Sequence, residues 1–133
     1  MRIVDAHVHL WDVDAVPIPW FREDLGLPRR AATTDLGREL AASGVASAIA
    51  VQAADSVAEA HGLVDVARRD PFVRRVVLQY SPRPGSAGGA TAVAFDPAVV
   101  GVRAAVPQFS SDLSDVEGLD ALVAHLGATG RAL

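Results

Sequence analysis

The sequence contains no lysine: all twelve of its basic side chains are arginines. Cysteine is absent as well, which excludes disulfides, a thiolate nucleophile and any cysteine-ligated zinc or iron–sulfur site. No apolar stretch approaches the roughly 20 residues that span a bilayer. The opening Met1-Arg2-Ile3-Val4-Asp5-Ala6-His7 breaks its apolar run with an acid and a histidine, too early for a signal peptide. The expected location is the cytoplasm, with no membrane partner. Positive charge is short too. Sixteen acids against twelve arginines leave a formal charge of -4, which argues against a nucleic-acid partner.

What is present suits one globular domain. The 133 residues fall below the roughly 150 typical of a domain. Half of them are hydrophobic and 21% charged, with a mean hydropathy of +0.26, which excludes a disordered chain. A domain of this size buries about two thirds of its unfolded surface, enough for a core.

The apolar pattern alternates from Arg2 to Leu10, with Val4, Ala6, Val8 and Leu10 on one side and Asp5, His7 and His9 on the other. That period of two predicts a strand. Trp11 to Ala32, with Pro17, Pro19, Pro28 and Gly26, reads as a long surface loop, a length uncommon unless it serves a site. A helix follows, capped by Thr33 or Thr34, carrying Leu36, Leu40 and Ala41 on its apolar side and stopped at Gly44. Val45 to Ala54 is a nearly unbroken apolar run, as in a strand covered on both faces of a parallel sheet.

Ser56 with Glu59 forms a capping box, and Val57, Ala60, Leu63 and Val64 repeat at helical spacing until Asp70-Pro71. Phe72 to Tyr80 is a third strand. Pro82 to Gly89 is a loop, any helix in Ala90 to Asp96 is short, and Val99 to Val106 is a fourth strand. Ser114 with Glu117 forms a second capping box before a helix striped by Leu119, Leu122, Val123 and Leu126. Strands alternating with helices imply parallel pairing through right-handed crossovers.

The sharpest chemical feature is His7-Val8-His9. Two histidines two apart on a strand project from one face, where both imidazoles can grip one metal ion. Asp5 lies on that face and could orient such a ligand. The competing reading is a half-exposed strand that carries two histidines by accident. Placement favours the metal, because functional groups in parallel α/β proteins cluster at the C-terminal ends of strands. Gln52, Gln79, and Arg103 with Gln108 end the next three strands, and would converge on the same rim.

Arg2-Ile3-Val4-Asp5-Ala6-His7-Val8-His9-Leu10-Trp11-Asp12 resembles the opening of the amidohydrolase-2 family, metal-dependent hydrolases of TIM-barrel fold that include sugar lactonases. The similarity continues through Ile18-Pro19-Trp20, Leu27-Pro28-Arg29-Arg30, Asp35-Leu36, Ala42-Ser43-Gly44-Val45, Val51-Gln52-Ala53-Ala54, Asp70-Pro71-Phe72-Val73 and Gly101-Val102-Arg103. It runs over nearly the whole chain. The resemblance implies a barrel in which His7 and His9 help hold a divalent metal, zinc first. It places Gln52 and Arg103 facing a substrate pocket, and Arg103 could pair with a carboxylate. Trp11 and Trp20 fall where the first loop walls that pocket, although ordinary loop packing accounts for them equally well.

A full eight-stranded barrel takes about 250 residues. Residues 1–133 therefore read as an N-terminal half, an incomplete TIM (β/α)8 barrel of about four parallel βα units. The resemblance implies that the remaining metal histidines, and the aspartate that acts on water, belong to the other half. The general base is therefore not expected in this chain, and its own grip on metal is expected to be weak. His61 and His125 read as solvated residues on helix faces rather than replacements. Some amidohydrolases bridge two metals with a carboxylated lysine, and this chain offers none.

Three functions compete. The first is a lactonase-like hydrolase acting on a sugar or small carboxylated lactone when the barrel is complete, with a related non-oxidative decarboxylase as the nearest variant. The second is a truncated, non-catalytic half-barrel that self-associates as a homo-oligomer through its exposed sheet edges. The third, a doubly wound binding module, lacks the glycine-rich phosphate turn that such a fold places after its first strand.

Overall fold

A computed structural model describes residues 2–80, 96–104 and 118–133. Its centre is a four-stranded parallel sheet in the order β1 (Ile3–Val8), β4 (Val45–Val51), β5 (Val73–Tyr80) and β6 (Val99–Ala104). Sequential strands lie side by side, as the alternation of strands and helices predicts. The sheet curls into half of a barrel of the TIM type.

The first loop is more ordered than its prolines suggest. Trp11–Asp12 (β2) pairs antiparallel with Arg30–Ala31 (β3), so the excursion is clasped at its base. Within it Glu23–Leu25 forms a single 3-10 turn. Arg29 ties the loop to itself through ion pairs with Asp14 and Glu23, and its guanidinium holds the Asp14 carboxyl below the usual carboxylate range.

Helix α1 (Thr33–Ala42) leads from this loop into β4, and Gly44, at φ 78°, supplies the left-handed residue that ends it. The expected cap is corrected. Ala32 holds the capping position with no side-chain bond, so neither Thr33 nor Thr34 caps the helix, and Thr33 stands one residue inside it, on the side of Asp70. Helix α2 (Val57–Arg69) runs from β4 to β5. Half of the Ser56–Glu59 capping box forms: Ser56 Oγ accepts from Glu59 N at 3.1 Å, but the Glu59 carboxylate turns elsewhere.

The core lies between the sheet and α2. Val8, Ala48, Val76 and Leu78 of the strands meet Ala60, Leu63 and Val64 of the helix. α2 packs mainly against β5, and α1 against β4. Leu36 and Leu40 of α1 reach the same core from its margin. A second cluster joins Tyr80 and Val102 to Leu119, Leu122 and Leu126 of α3 (Leu119–Thr129). Val123, expected on that stripe, is 44% exposed instead. Before α3, Gly118 has φ 75°, and a Cβ there would stand 2.7 Å from the Tyr80 hydroxyl, so space and backbone both require glycine.

The edges differ. β1 borders β4 on one side, and Ile3 (40%) and Val4 (52%) are both exposed, so the side on which Val4 lies is covered only from Val8 onward. At the other edge Ala132 bridges Gly101 in parallel, with Ala132 N donating to Val100 O and Val102 N to Ala132 O, both at 2.9 Å. Arg131 secures this end by donating from Nε to Val99 O at 2.8 Å. The Pro82–Gly89 loop, the short helix expected before Asp96, Gln108 and the Ser114–Glu117 capping box lie outside the described residues, as do Ala105 and Val106 of the fourth strand.

Leu78 is 1% exposed at the centre of the larger core. Leu78→Ala is expected to cost about 2–5 kcal/mol through lost contacts and a residual cavity, measured by urea denaturation. Val123→Ala on the exposed face of α3 is expected to change stability by less than about 0.5 kcal/mol.

Candidate metal and substrate site at the strand ends

β4 stops at Val51, and apart from Gln52 N, which still donates to Val77 O, the backbone groups that follow leave the sheet ladder. A buried amide or carbonyl without a partner is costly, so each needs a new one. Side chains from four parts of the chain supply them.

His9 is the first. Its Nδ1 lies 2.8 Å from the Val51 carbonyl. A carbonyl only accepts, so Nδ1 carries the proton, and in the neutral ring Nε2 keeps its lone pair. That Nε2 stands 3.2 Å from Nε2 of His7, with the rings edge to face at 79° and their centroids 4.8 Å apart. Two imidazole nitrogens on one tetrahedral zinc stand about 3.3 Å apart, given bonds of roughly 2.0–2.1 Å. His7 Nε2–H donates to that lone pair as the rings stand, and the same spacing fits a shared divalent cation in place of the proton. Asp5 does not orient either ring; its carboxylate accepts the backbone N–H of His7 at 3.0 Å. The orienting group is the Val51 carbonyl, which no reading of side chains could name. Among the described residues, no third His, Cys, Asp or Glu joins the pair in a metal-sized group.

Gln52 is fully buried. Its Nε2 donates to Ala54 O at 2.6 Å and Ser56 O at 2.9 Å, and its Oε1 accepts from Gln79 N at 2.9 Å. The amide therefore staples the turn after β4 to the end of β5. Gln79 passes the connection on, since its Oε1 accepts from Arg103 Nε at 3.2 Å and Nη2 at 2.9 Å. Register makes this contact, because Gln79 and Arg103 are directly paired in the ladder. Arg103 is exposed and retains further N–H groups for a ligand.

The tryptophans wall the same turn. Trp20 Nε1 donates to Ala53 O at 2.7 Å, Trp11 Nε1 to Pro28 O at 2.9 Å, and the two rings meet edge to face at 6.0 Å. The first loop is thus latched onto the end of β4. His61 is exposed and His125 half-buried, each within a helix and away from the histidine pair in the fold.

Glu59 is the residue whose part the sequence pattern did not convey. It is 6% exposed, and its two oxygens accept Ala53 N and Ala54 N, both at 2.6 Å. The signal was present as Ser-x-x-Glu, but that motif predicts a bond back to the capping residue rather than into the preceding turn. Burial pushes its carboxyl above the usual range, against the two backbone N–H bonds, the Gln52 amide and the charge of Arg103.

The His pair lies on β1 and Arg103 on β6. Three strand spacings, about 14 Å along the sheet, separate them. Only curvature of the sheet lets one small molecule approach both. The fold supplies that curvature, and it is shared with a solved structure, amidohydrolase 2 from Bifidobacterium longum subsp. infantis. The two match with a TM-score of 0.64 and 27% sequence identity. The likeness is to an amidohydrolase 2 protein. It covers 94% of this chain and 49% of the other, so this chain spans about half the length of that amidohydrolase. That share agrees with the half-barrel read from the sequence. No protein-family model and no curated protein sequence matches the chain. Among the described residues, no helix is long and apolar enough to cross a membrane.

Two carboxylates give opposite pH signs. Glu59, raised in the fold, holds a proton that the unfolded chain has released, so stability is full below about pH 4.3 and declines as pH rises through its folded value. Asp70, lowered first by the Thr33 hydroxyl and then by the Phe72 and Val73 N–H groups, adds stability above about pH 3.9 that is lost on acidification. In thermal melts across pH 3–8, Glu59→Gln is expected to flatten the decline above the usual carboxylate range, and Asp70→Asn to flatten the acid limb.

Proposed function

We propose that this chain carries the metal-holding strand end of an amidohydrolase-type enzyme, which hydrolyses a sugar or small carboxylated lactone when its barrel is complete. The observation that supports this most directly is the 3.2 Å approach of His7 Nε2 to His9 Nε2, with His9 held in the required tautomer by Val51. Neutral imidazoles at this spacing suit zinc among the divalent metals. A metal held there supplies Lewis-acid polarisation of the lactone carbonyl or of the attacking water.

The chain's own residues position the substrate. Arg103, braced by both donors on Gln79, offers a planar cation to a substrate carboxylate or a lactone oxygen. Trp20, with Trp11 against it, walls the opening and excludes water from that side. Gln52 acts one step back, because its amide is spent on Ala54, Ser56 and Gln79 and shapes the turn that a substrate meets. A catalytic zinc takes three protein ligands and a water, and the described residues provide two. In this reading the other half of the barrel supplies the third ligand and the aspartate that accepts the proton from water, and the chain alone holds metal weakly.

A second reading rests on the exposed Ile3 and Val4 at the β1 edge. These suit a self-associating half-barrel, with β1 of one copy beside the Ala132 edge of another. Light scattering after size exclusion separates the two readings: a stable monomer removes the paired form.

Calorimetric titration with Zn²⁺ tests the donor pair in the chain itself. His7→Ala and His9→Ala are each expected to weaken binding at least about tenfold. In a complete barrel carrying this strand, assayed with a lactone panel, each variant is expected to lower kcat/KM by about 100-fold or more. Arg103→Ala is expected to raise KM for carboxylated lactones more than for neutral ones. Retained activity in both histidine variants defeats the metal role, and release of CO₂ in place of ring opening moves the assignment to the decarboxylase.

A further inference from the structure

A cavity of about 330 Å³ lies between the first loop and α2. It stands on the other side of the β1 end from the histidine pair. Val8 and Leu10 are buried while His7 is exposed and His9 half-buried, so Leu10 and His9 face opposite ways. Leu10, Trp11, Val16 and Ile18 line it from the loop, and Leu63 and Val66 from the helix. Gly62 also lines it, in mid-helix, and a Cβ built there meets nothing within 4 Å. Glycine is the poorest helix former after proline. At this position it leaves a wall of the cavity without a side chain.

The polar groups at the cavity are rich in acceptors. Asp12 brings a carboxylate whose Oδ1 accepts from Asp14 N at 3.1 Å and Ala15 N at 3.3 Å and whose Oδ2 is the less committed oxygen. Glu59 also lines the cavity, but its oxygens accept from Ala53 N and Ala54 N. Arg30, the one cation among the described lining residues, is exposed and lies 3.6 Å from Asp12. Apolar walls with a few polar groups, at roughly 300–1,000 Å³, mark small-molecule sites. An apolar cavity of about 150 Å³ takes up benzene, so about twice that volume suits a bicyclic ring.

We propose that this cavity binds a small neutral aromatic molecule of the indole class, its ring between Leu10, Trp11 and Leu63 and its N–H directed to the Asp12 carboxylate. The cavity lies across β1 from the histidine pair, shares Trp11 and Glu59 with the turn after β4, and does not depend on the hydrolase reading.

Indole itself is the probe, titrated into the full chain by calorimetry. One molecule is expected to bind per chain with a Kd of about 1 mM or tighter. Gly62→Leu places a side chain in the cavity, and is expected to weaken indole binding at least about tenfold while its melting temperature equals or exceeds that of the parent. Val66→Phe narrows the same cavity from the next turn of the helix, and provides a second reading if the leucine variant does not fold. Indole-3-carboxylate brings the same ring with a negative charge, and is expected to bind at least about tenfold more weakly than indole. No indole binding up to about 10 mM overturns the site. Binding that survives both cavity-filling variants overturns its location, and an anion that binds as tightly as indole overturns the acceptor chemistry.

Discussion

The structure turns on the backbone that β4 releases when it leaves the sheet at Val51. Gln52 N still donates to Val77 O, and from Val51 to Ser56 side chains take up polar groups that leave the ladder, three of these side chains from elsewhere in the chain and one, Gln52, from the stretch itself. His9 takes the Val51 carbonyl, Trp20 the Ala53 carbonyl, Glu59 the Ala53 and Ala54 amides, and Gln52 the carbonyls of Ala54 and Ser56. Leaving any one unmet costs about 1–3 kcal/mol, so the requirement is strong at every position. Satisfying it brings a metal-type histidine, the latch of the first loop and a buried carboxylate to one turn. Architecture and chemistry share the same hydrogen bonds here.

That economy explains the division of labour along the rim. A side chain that secures the turn is not free to meet a ligand, and Gln52 is the clear case. A side chain at the outer end of the ladder keeps donors in reserve, as Arg103 does while resting on Gln79. His9 does both, because an imidazole has two nitrogens with separate tasks: one bonds Val51 and the other faces His7. A lysine in its place has three donors and no acceptor, so it could not bond Val51 and still offer a lone pair to His7 or a metal.

The two faces of the β1 end differ in character for a simple reason. Alternation along an extended chain sends His7 and His9 to the side facing the barrel interior and Leu10 to the side facing α2. Polar chemistry gathers on the first, and on the second the loop leaves an apolar space against a helix that lacks a side chain at Gly62. The exposed Ile3 and Val4 belong to the same strand, at an edge where no neighbouring strand is described on the outer side.

Periodicity by itself determined the four strands of the parallel sheet, the three α-helices among the described residues and their order, though not the β2–β3 pair, since burial demands of a two-faced sheet are written in nearly unbroken runs such as Val45 to Ala54 and helical stripes such as Ala60, Leu63 and Val64. It also placed both histidines on one face, because that follows from spacing alone. It could not say that Val123 is exposed, that Thr33 stands on the side of Asp70, or that the Glu59 carboxylate turns back to Ala53 and Ala54. Those outcomes depend on which distant backbone groups happen to lie open, and such groups carry no residue-specific mark. The Val51 carbonyl that sets the tautomer of His9 is the sharpest instance: every residue has a carbonyl, and only the folded sheet decides which one is left without a strand beside it.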